Sequence, residues 1–195
     1  SRTLAVSGTS KMNAGGCAVF SNSSSTNGLS STQSGLLSSQ TTCSAGGYEG
    51  NSSNFSKTPT TDCPVLDDPL AERVKPSVGA CDFNNLVIKN TAMTLNPGVY
   101  CGGIVLDTLS LVKFNPGIYV IKNGELRARD LAAAKGVGVS FYFTGTNSRF
   151  TFDGTTVADF TAPSTGPMAG LLFFQDPDTA DGMVYEIKSK IASNL

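Results

Sequence analysis

The chain has no histidine and no tryptophan, and only 15% of its 195 residues are charged. Without histidine, imidazole-based triads are excluded, as is the commonest nitrogen ligand of zinc. None of the five cysteines forms a C-x-x-C pair, so the usual thiolate frame for zinc is missing too. A net charge of −1 leaves no basic face for nucleic acid, and no nucleic-acid partner is expected. No apolar run reaches eighteen residues, so no stretch reads as a membrane-spanning helix. Helical periodicity is also nearly absent. The Ala-rich stretch from Leu126 to Lys135 is the one short helix candidate, and it fits a strand as well.

What is present is a repeat. Leu95-Asn96-Pro97-Gly98-Val99-Tyr100 returns as Phe114-Asn115-Pro116-Gly117-Ile118-Tyr119, nineteen residues later. Asn-Pro-Gly makes a turn because Pro fixes φ near −65° and Gly accepts positive φ. The β-branched and aromatic residues behind it favour a strand. Short apolar runs at Leu86-Val87-Ile88, at Ile104-Val105-Leu106 and near Leu126 lie between these phrases at a similar spacing. From Val137 to Phe143 apolar residues alternate strictly. Leu171-Leu172-Phe173-Phe174, and then Val184, Tyr185 and Ile187, read as further strands.

A repeat of roughly 20 residues with two or three strands is too short for a propeller blade and too long for a hairpin. It fits a right-handed parallel β-helix with coils of about 19–22 residues, each burying the face of the next. In that stack Val99 should lie under Ile118 and Tyr100 under Tyr119. The tyrosines then make either an exposed aromatic ladder or a half-buried cover of the core.

The expectation is one β-helical domain over 1–195, a piece of a longer chain, since Ser1-Arg2-Thr3 is neither an initiator Met nor a signal peptide. The Ser/Thr/Gly/Asn-rich leader, residues 1–45, carries recurrent apolar triplets and almost no charge, so it reads as ordered coils. Residues 46–80 carry Pro59, Pro64, Pro69 and Pro76 and read as an excursion, with one or two helical turns between Asp67 and Lys75.

Cysteines scattered through a chain without histidine point to disulfides in an oxidising compartment. Cys81 and Cys101 are twenty residues apart, one coil, and stacked positions about 4.8 Å apart suit a disulfide. Cys17 and Cys43 form the second expected pair, with Cys63 as a competing partner or free thiol.

In order and spacing the chain resembles the repeat-rich region of TadG-like proteins of the Flp/Tad pilus-assembly family. The resemblance is carried by Leu4-Ala5-Val6-Ser7-Gly8, Gly16-Cys17-Ala18-Val19 and Asp68-Pro69-Leu70-Ala71. It continues through Pro97-Gly98-Val99-Tyr100-Cys101-Gly102-Gly103-Ile104 and Asn115-Pro116-Gly117-Ile118-Tyr119-Val120-Ile121. Val139-Ser140-Phe141-Tyr142-Phe143-Thr144-Gly145 and the stretch from Ala162 to Asp176 complete it. It implies a bacterial envelope protein outside the cytoplasmic membrane, held by an N-terminal anchor upstream of this region. Its partners would be other pilus-assembly or envelope proteins, with self-association through exposed coil ends. The chain stops at Asn194-Leu195, where another strand is expected.

A parallel β-helix is also the scaffold of pectin-lyase-like enzymes, which makes a polysaccharide-binding or polysaccharide-cleaving module the alternative. The candidate acids are Asp153, Asp159, Asp176, Asp178 and Asp181, with Arg127, Arg129 and Arg149 as cations. A glycosidase needs two carboxylates about 5–9.5 Å apart, which positions one coil apart satisfy, so Asp153 and Asp176 form the candidate pair. Both sit in ordinary turn sequences, however, and no catalytic residue is assigned. A groove of charged side chains beside Asp153 would favour the carbohydrate reading. The loop from Asp176 to Gly182 lacks the glutamate of a calcium-binding hand, so no metal or cofactor is expected. An ice-binding β-helix is a weaker alternative, because the Thr residues do not recur in register.

Overall fold

The computed structural model describes residues 4–179, 183–189 and 191–193. The chain divides into two compact units, Ser1–Ala71 and Glu72–Leu195, where a single domain is expected from the sequence. The division falls inside the proline-rich stretch. Both units are β-solenoids, with parallel strands stacked coil on coil.

In the first unit, β1 (Leu4–Val6), β3 (Leu29–Ser31) and β5 (Tyr48–Glu49) form one parallel sheet. β2 (Lys11–Ser21) and β4 (Leu36–Ser44) form another. Val6, Val19, Leu29, Leu37 and Phe55 fill the small core. Hydroxyl groups complete it: Ser21, Ser39, Thr42 and Ser44 are buried, and Ser39 Oγ lies 2.6 Å from Thr42 Oγ1. Small hydroxyl residues suit this interior where each finds a partner, as these four do, whereas the buried Ser31 Oγ has none among the described residues.

The excursion begins later than the prolines suggest. β5, together with bridges from Phe55 to Leu37 and from Thr60 to Cys43, adds a third coil. Buried Asn54 ties it to the coil before by donating to the carbonyls of Gln33 (3.0 Å) and Gly35 (2.7 Å). Asp67 to Lys75 makes turns instead of a helix; its one local backbone bond runs from Ala71 N to Asp68 O.

The second unit has two sheets of parallel strands, the first of them bent at a corner. One contains β6 (Phe83–Lys89), β8 (Gly98–Asp107), β10 (Gly117–Ala128), β12 (Val139–Thr144), β13 (Arg149–Phe152), β15 (Phe173–Gln175) and β16 (Glu186–Ile187). The other has the order β7 (Ala92–Leu95), β9 (Leu111–Phe114), β11 (Ala133–Val137), β14 (Val157–Thr161) and β17 (Ile191–Ser193). The Ala-rich helix candidate is thus the end of β10, a turn, and β11.

Long strands bend where residues at positive φ stack. Asn85 (49°) lies beneath Gly102 (73°), and Asn123 (54°) beneath Gly145 (78°). A Cβ on either glycine would come within 2.1 Å of the Asn Oδ1 below it, so the corner needs both the conformation and the missing side chain. Inside, side chains stack by column: Ile88, Leu106, Ala128 and Phe152 are register partners with 2% exposure or less.

The repeat phrases do not align as the nineteen-residue spacing suggests. Leu95 pairs with Phe114, but Gly98 then pairs with Tyr119, Val99 with Val120 and Tyr100 with Ile121. The second copy takes a wider path around the first, because Gly117 (φ 137°) rides over the Pro97 ring. A shift of two keeps side-chain parity. Both tyrosines still face inward and are fully buried, neither exposed nor half-buried.

Residues 72–82 run back along this unit. Arg73 donates to the carbonyls of Pro167 (2.9 Å) and Ala169 (3.1 Å), and Lys75 reaches Asp176 and Asp178 on the last described coil. Cys81 is bonded to Cys101, and Asp82 Oδ2 accepts from Val99 N at 2.8 Å on an early coil. The outward-pointing Val99, Val120 and Tyr142 are buried, as expected beneath such a strap.

Candidate functional site

The charged groove lies where β10, β13 and β16 present their outward side chains. Period-two alternation sends Leu126 and Ala128 into the core and Glu125 and Arg127 to the surface. The same rule turns Phe150 and Phe152 inward and Arg149 and Thr151 outward. Register then stacks Glu125 against Arg149, and Arg127 against Thr151 and Glu186. With Asp153 and Lys188 these residues line an open groove of about 520 Å³, bordered also by Asn147, Met183 and Val184.

Among the described residues three ion pairs line it. Arg149 Nε lies 3.3 Å from Glu125 Oε1, Arg127 Nη2 3.5 Å from Asp153 Oδ2, and Lys188 Nζ 3.0 Å from Glu186 Oε2. Thr151 Oγ1 donates to Glu125 as well. The side chains of Arg127 and Arg149 are both 39% exposed, so each guanidinium is seated yet open to solvent. Every groove carboxylate faces a cation, whereas a glycosidase sets two carboxylates across one bond.

The candidate pair Asp153 and Asp176 is not brought together. The residue above Asp153 is Lys188, whose N–H bonds to Phe152 O. Asp176 belongs to another cluster, accepting from Thr144 Oγ1 (2.7 Å) and from Lys75 (3.1 Å). Burial pushes its carboxyl up, but the Thr144 and Lys75 bonds outweigh this and hold it below the ordinary range. Asp178 lies 2.6 Å from Lys75, whose ammonium pKa is raised by hydrogen bonding to Asp178 and Asp176. Asp181 lies outside the described residues, as do Asn194 and Leu195. Among the described residues no group of three or more Cys, Asp or Glu is placed to hold a metal ion.

Arg129 serves a corner. It pairs with Asp107 at 2.8 Å and, with Thr108, holds that carboxyl down at about 2. Asp159 lies on β14, on the opposite flat face. There Leu111, Ala133 and Val157 form one outward column and Lys113, Lys135 and Asp159 the next. Among the described residues no regular Thr array occupies that sheet.

The disulfides are Cys81–Cys101 and Cys43–Cys63, with Cα atoms 5.7 and 6.1 Å apart. The expected Cys17–Cys43 bond is not formed, and Cys17 is an exposed free thiol. Phe20, not Cys17, is the register partner of Cys43, and Cys17 falls in the bulge between Ala14 and Ala18. Cys43 to Cys63 repeats the twenty-residue spacing of Cys81 to Cys101.

Glu125, Thr151, Glu186 and Lys188 were not recognisable from the sequence. Glu125 and Arg149 lie 24 residues apart, and Arg127 and Asp153 lie 26 apart, longer than the coil repeat. A coil-by-coil register would have been the signal. No protein-family model, curated protein or solved structure matches the chain.

Proposed function

We propose that this chain is a non-enzymatic structural and interaction module of a bacterial envelope protein, working outside the cytoplasmic membrane in Flp/Tad-type pilus assembly or surface attachment. The observation that carries the compartment is the pair of disulfides, Cys43–Cys63 and Cys81–Cys101. Cross-links of this kind persist in oxidising surroundings and are rare in reducing ones. The family follows from the ordered resemblance to TadG-like proteins, and the role from a scaffold that repeats while no catalytic group repeats with it. The partners in this reading are other envelope proteins of the pilus machinery.

The test is deletion of this region from the full-length protein in the bacterium. Pilus display or surface attachment should fall while the remaining protein is still exported. Turnover of polyuronates by the purified chain contradicts the reading.

A second reading has its own observation. The groove beside Asp153 favours a module that binds polysaccharide, because it offers donors and acceptors along a repeating face.

A further inference from the structure

We propose that the groove formed by β10, β13 and β16 binds an acidic polysaccharide, with Arg127 and Arg149 holding its anionic groups and Asp153 and Glu186 accepting from its hydroxyls. This rests on the carbohydrate reading of the groove and specifies the class of polymer.

The guanidinium groups carry the argument. Each has five N–H donors in a fork that fits a carboxylate or sulfate in two-point fashion. Neither is used that way among the described residues. Arg149 meets Glu125 through Nε at 3.3 Å, and Arg127 meets Asp153 through one terminal nitrogen at 3.5 Å. Arg127 Nε is shielded from solvent and has no hydrogen-bond partner among the described residues. Partly exposed, single-point ion pairs are weak, so a ligand anion can take over these donors at little cost.

The remaining lining selects among ligands. Among the described residues no Phe or Tyr lines the groove, so these offer no aromatic platform for the apolar face of a neutral sugar. Charge must therefore provide the recognition. A purely anionic groove would repel such a polymer and a purely cationic one would accept any polyanion. Here cations and carboxylates alternate, which suits a chain bearing acid groups and hydroxyls on each unit. Arg127 and Arg149 are diagonal neighbours on adjacent strands, about 8 Å apart by strand spacing and rise, so both can engage one extended polymer. Carboxylated and sulfated polysaccharides share this chemistry.

Binding of the 1–195 chain to polygalacturonate, dextran sulfate, unsulfated dextran and polyphosphate tests the proposal, by titration calorimetry at two salt concentrations. Polygalacturonate or dextran sulfate should bind, whichever it is naming the acid group, and affinity should fall as salt rises. The R127Q/R149Q pair should weaken binding at least tenfold. Arg127→Lys, which keeps the charge but loses the fork, should weaken it several-fold. Lys113→Gln with Lys135→Gln, on the opposite face, should leave binding unchanged. Circular dichroism checks the fold of each variant, and if R127Q/R149Q unfolds, Arg127→Lys decides. Equal binding of unsulfated dextran overturns the acidic preference but leaves the carbohydrate reading standing. Equal binding of polyphosphate overturns the requirement for sugar hydroxyls. Failure of all four polymers to bind overturns both.

Discussion

Tyr100 and Tyr119 stack inside the second unit with ring centroids 5.9 Å apart, and each hydroxyl returns to the turn that precedes it. Tyr100 donates to Asn96 O at 2.6 Å, and Tyr119 lies 2.8 Å from Asn115 O and 2.9 Å from Leu95 O. The repeated phrase is thus a closed unit: Asn-Pro-Gly turns the chain, and the tyrosine satisfies the carbonyl exposed by the turn. Tyr119→Phe keeps the ring but leaves Asn115 O without this partner. It should cost about 1–3 kcal/mol, read from urea unfolding, with secondary structure unchanged.

These rings also set an alkaline limit. Burial pushes Tyr100, Tyr142 and Tyr185 from 10.0 up to about 12, and Tyr119 is raised in the same direction. A raised folded pKa means stability that is fully present below the unfolded value and lost as pH rises through the folded one. Ultraviolet titration should therefore show these tyrosines un-ionised at pH 10 and ionising together with loss of the fold near 12.

Asp107 gives the opposite sign. Its carboxyl is held at about 2 by Arg129 first and Thr108 next, against an ordinary 3.8. A depressed folded pKa contributes stability above the unfolded value, lost as pH falls through the folded one. Arg129→Gln should move the Asp107 titration, followed by carboxyl NMR, upward toward its ordinary value. It should also narrow the stability difference from the parent as pH drops from about 4 to 2.

Gly136 makes room for three rings. Phe114, Phe141 and Phe160 meet around it with centroids 5.2–5.6 Å apart, and an added Cβ would lie 2.9 Å from Val139 Cγ1 and 3.0 Å from Phe114 Cβ. Gly136→Val should overpack the core and lower stability by about 1–3 kcal/mol in thermal or urea unfolding.

The Cys81–Cys101 bond closes one coil of the second unit. Replacing both cysteines with serine should cost about 3 kcal/mol by the loop-entropy relation, seen as a lower unfolding midpoint under non-reducing conditions. Under reducing conditions the variant and the parent should converge.

The repeat made the solenoid legible, because Asn-Pro-Gly and alternating Phe and Val residues carry turn and strand preferences locally. Register was less legible. The detour of Gly117 around Pro97 adds two residues to a coil, and nothing local in the second phrase announces it. Cys17 was misassigned because the strands pair at an offset of 25 residues before the bulge between Ala14 and Ala18 and of 23 after it, and the 26-residue spacing to Cys43 matches neither. The prolines of 46–80 obscured a coil whose pairing depends on Phe55, Thr60 and the side chain of Asn54. The groove was half legible. Arg127, Arg149 and Asp153 were candidates as residue types, but their partners depend on uneven coil lengths that only the stacked strands reveal.

Peptide mapping of the protein, alkylated without reduction in the cells that make it, tests the account most directly. The stacked coils and the oxidising compartment together predict two cross-linked peptides, Cys43 with Cys63 and Cys81 with Cys101, and alkylation of Cys17 alone. Alkylation of all five cysteines, or a bond that includes Cys17, contradicts it.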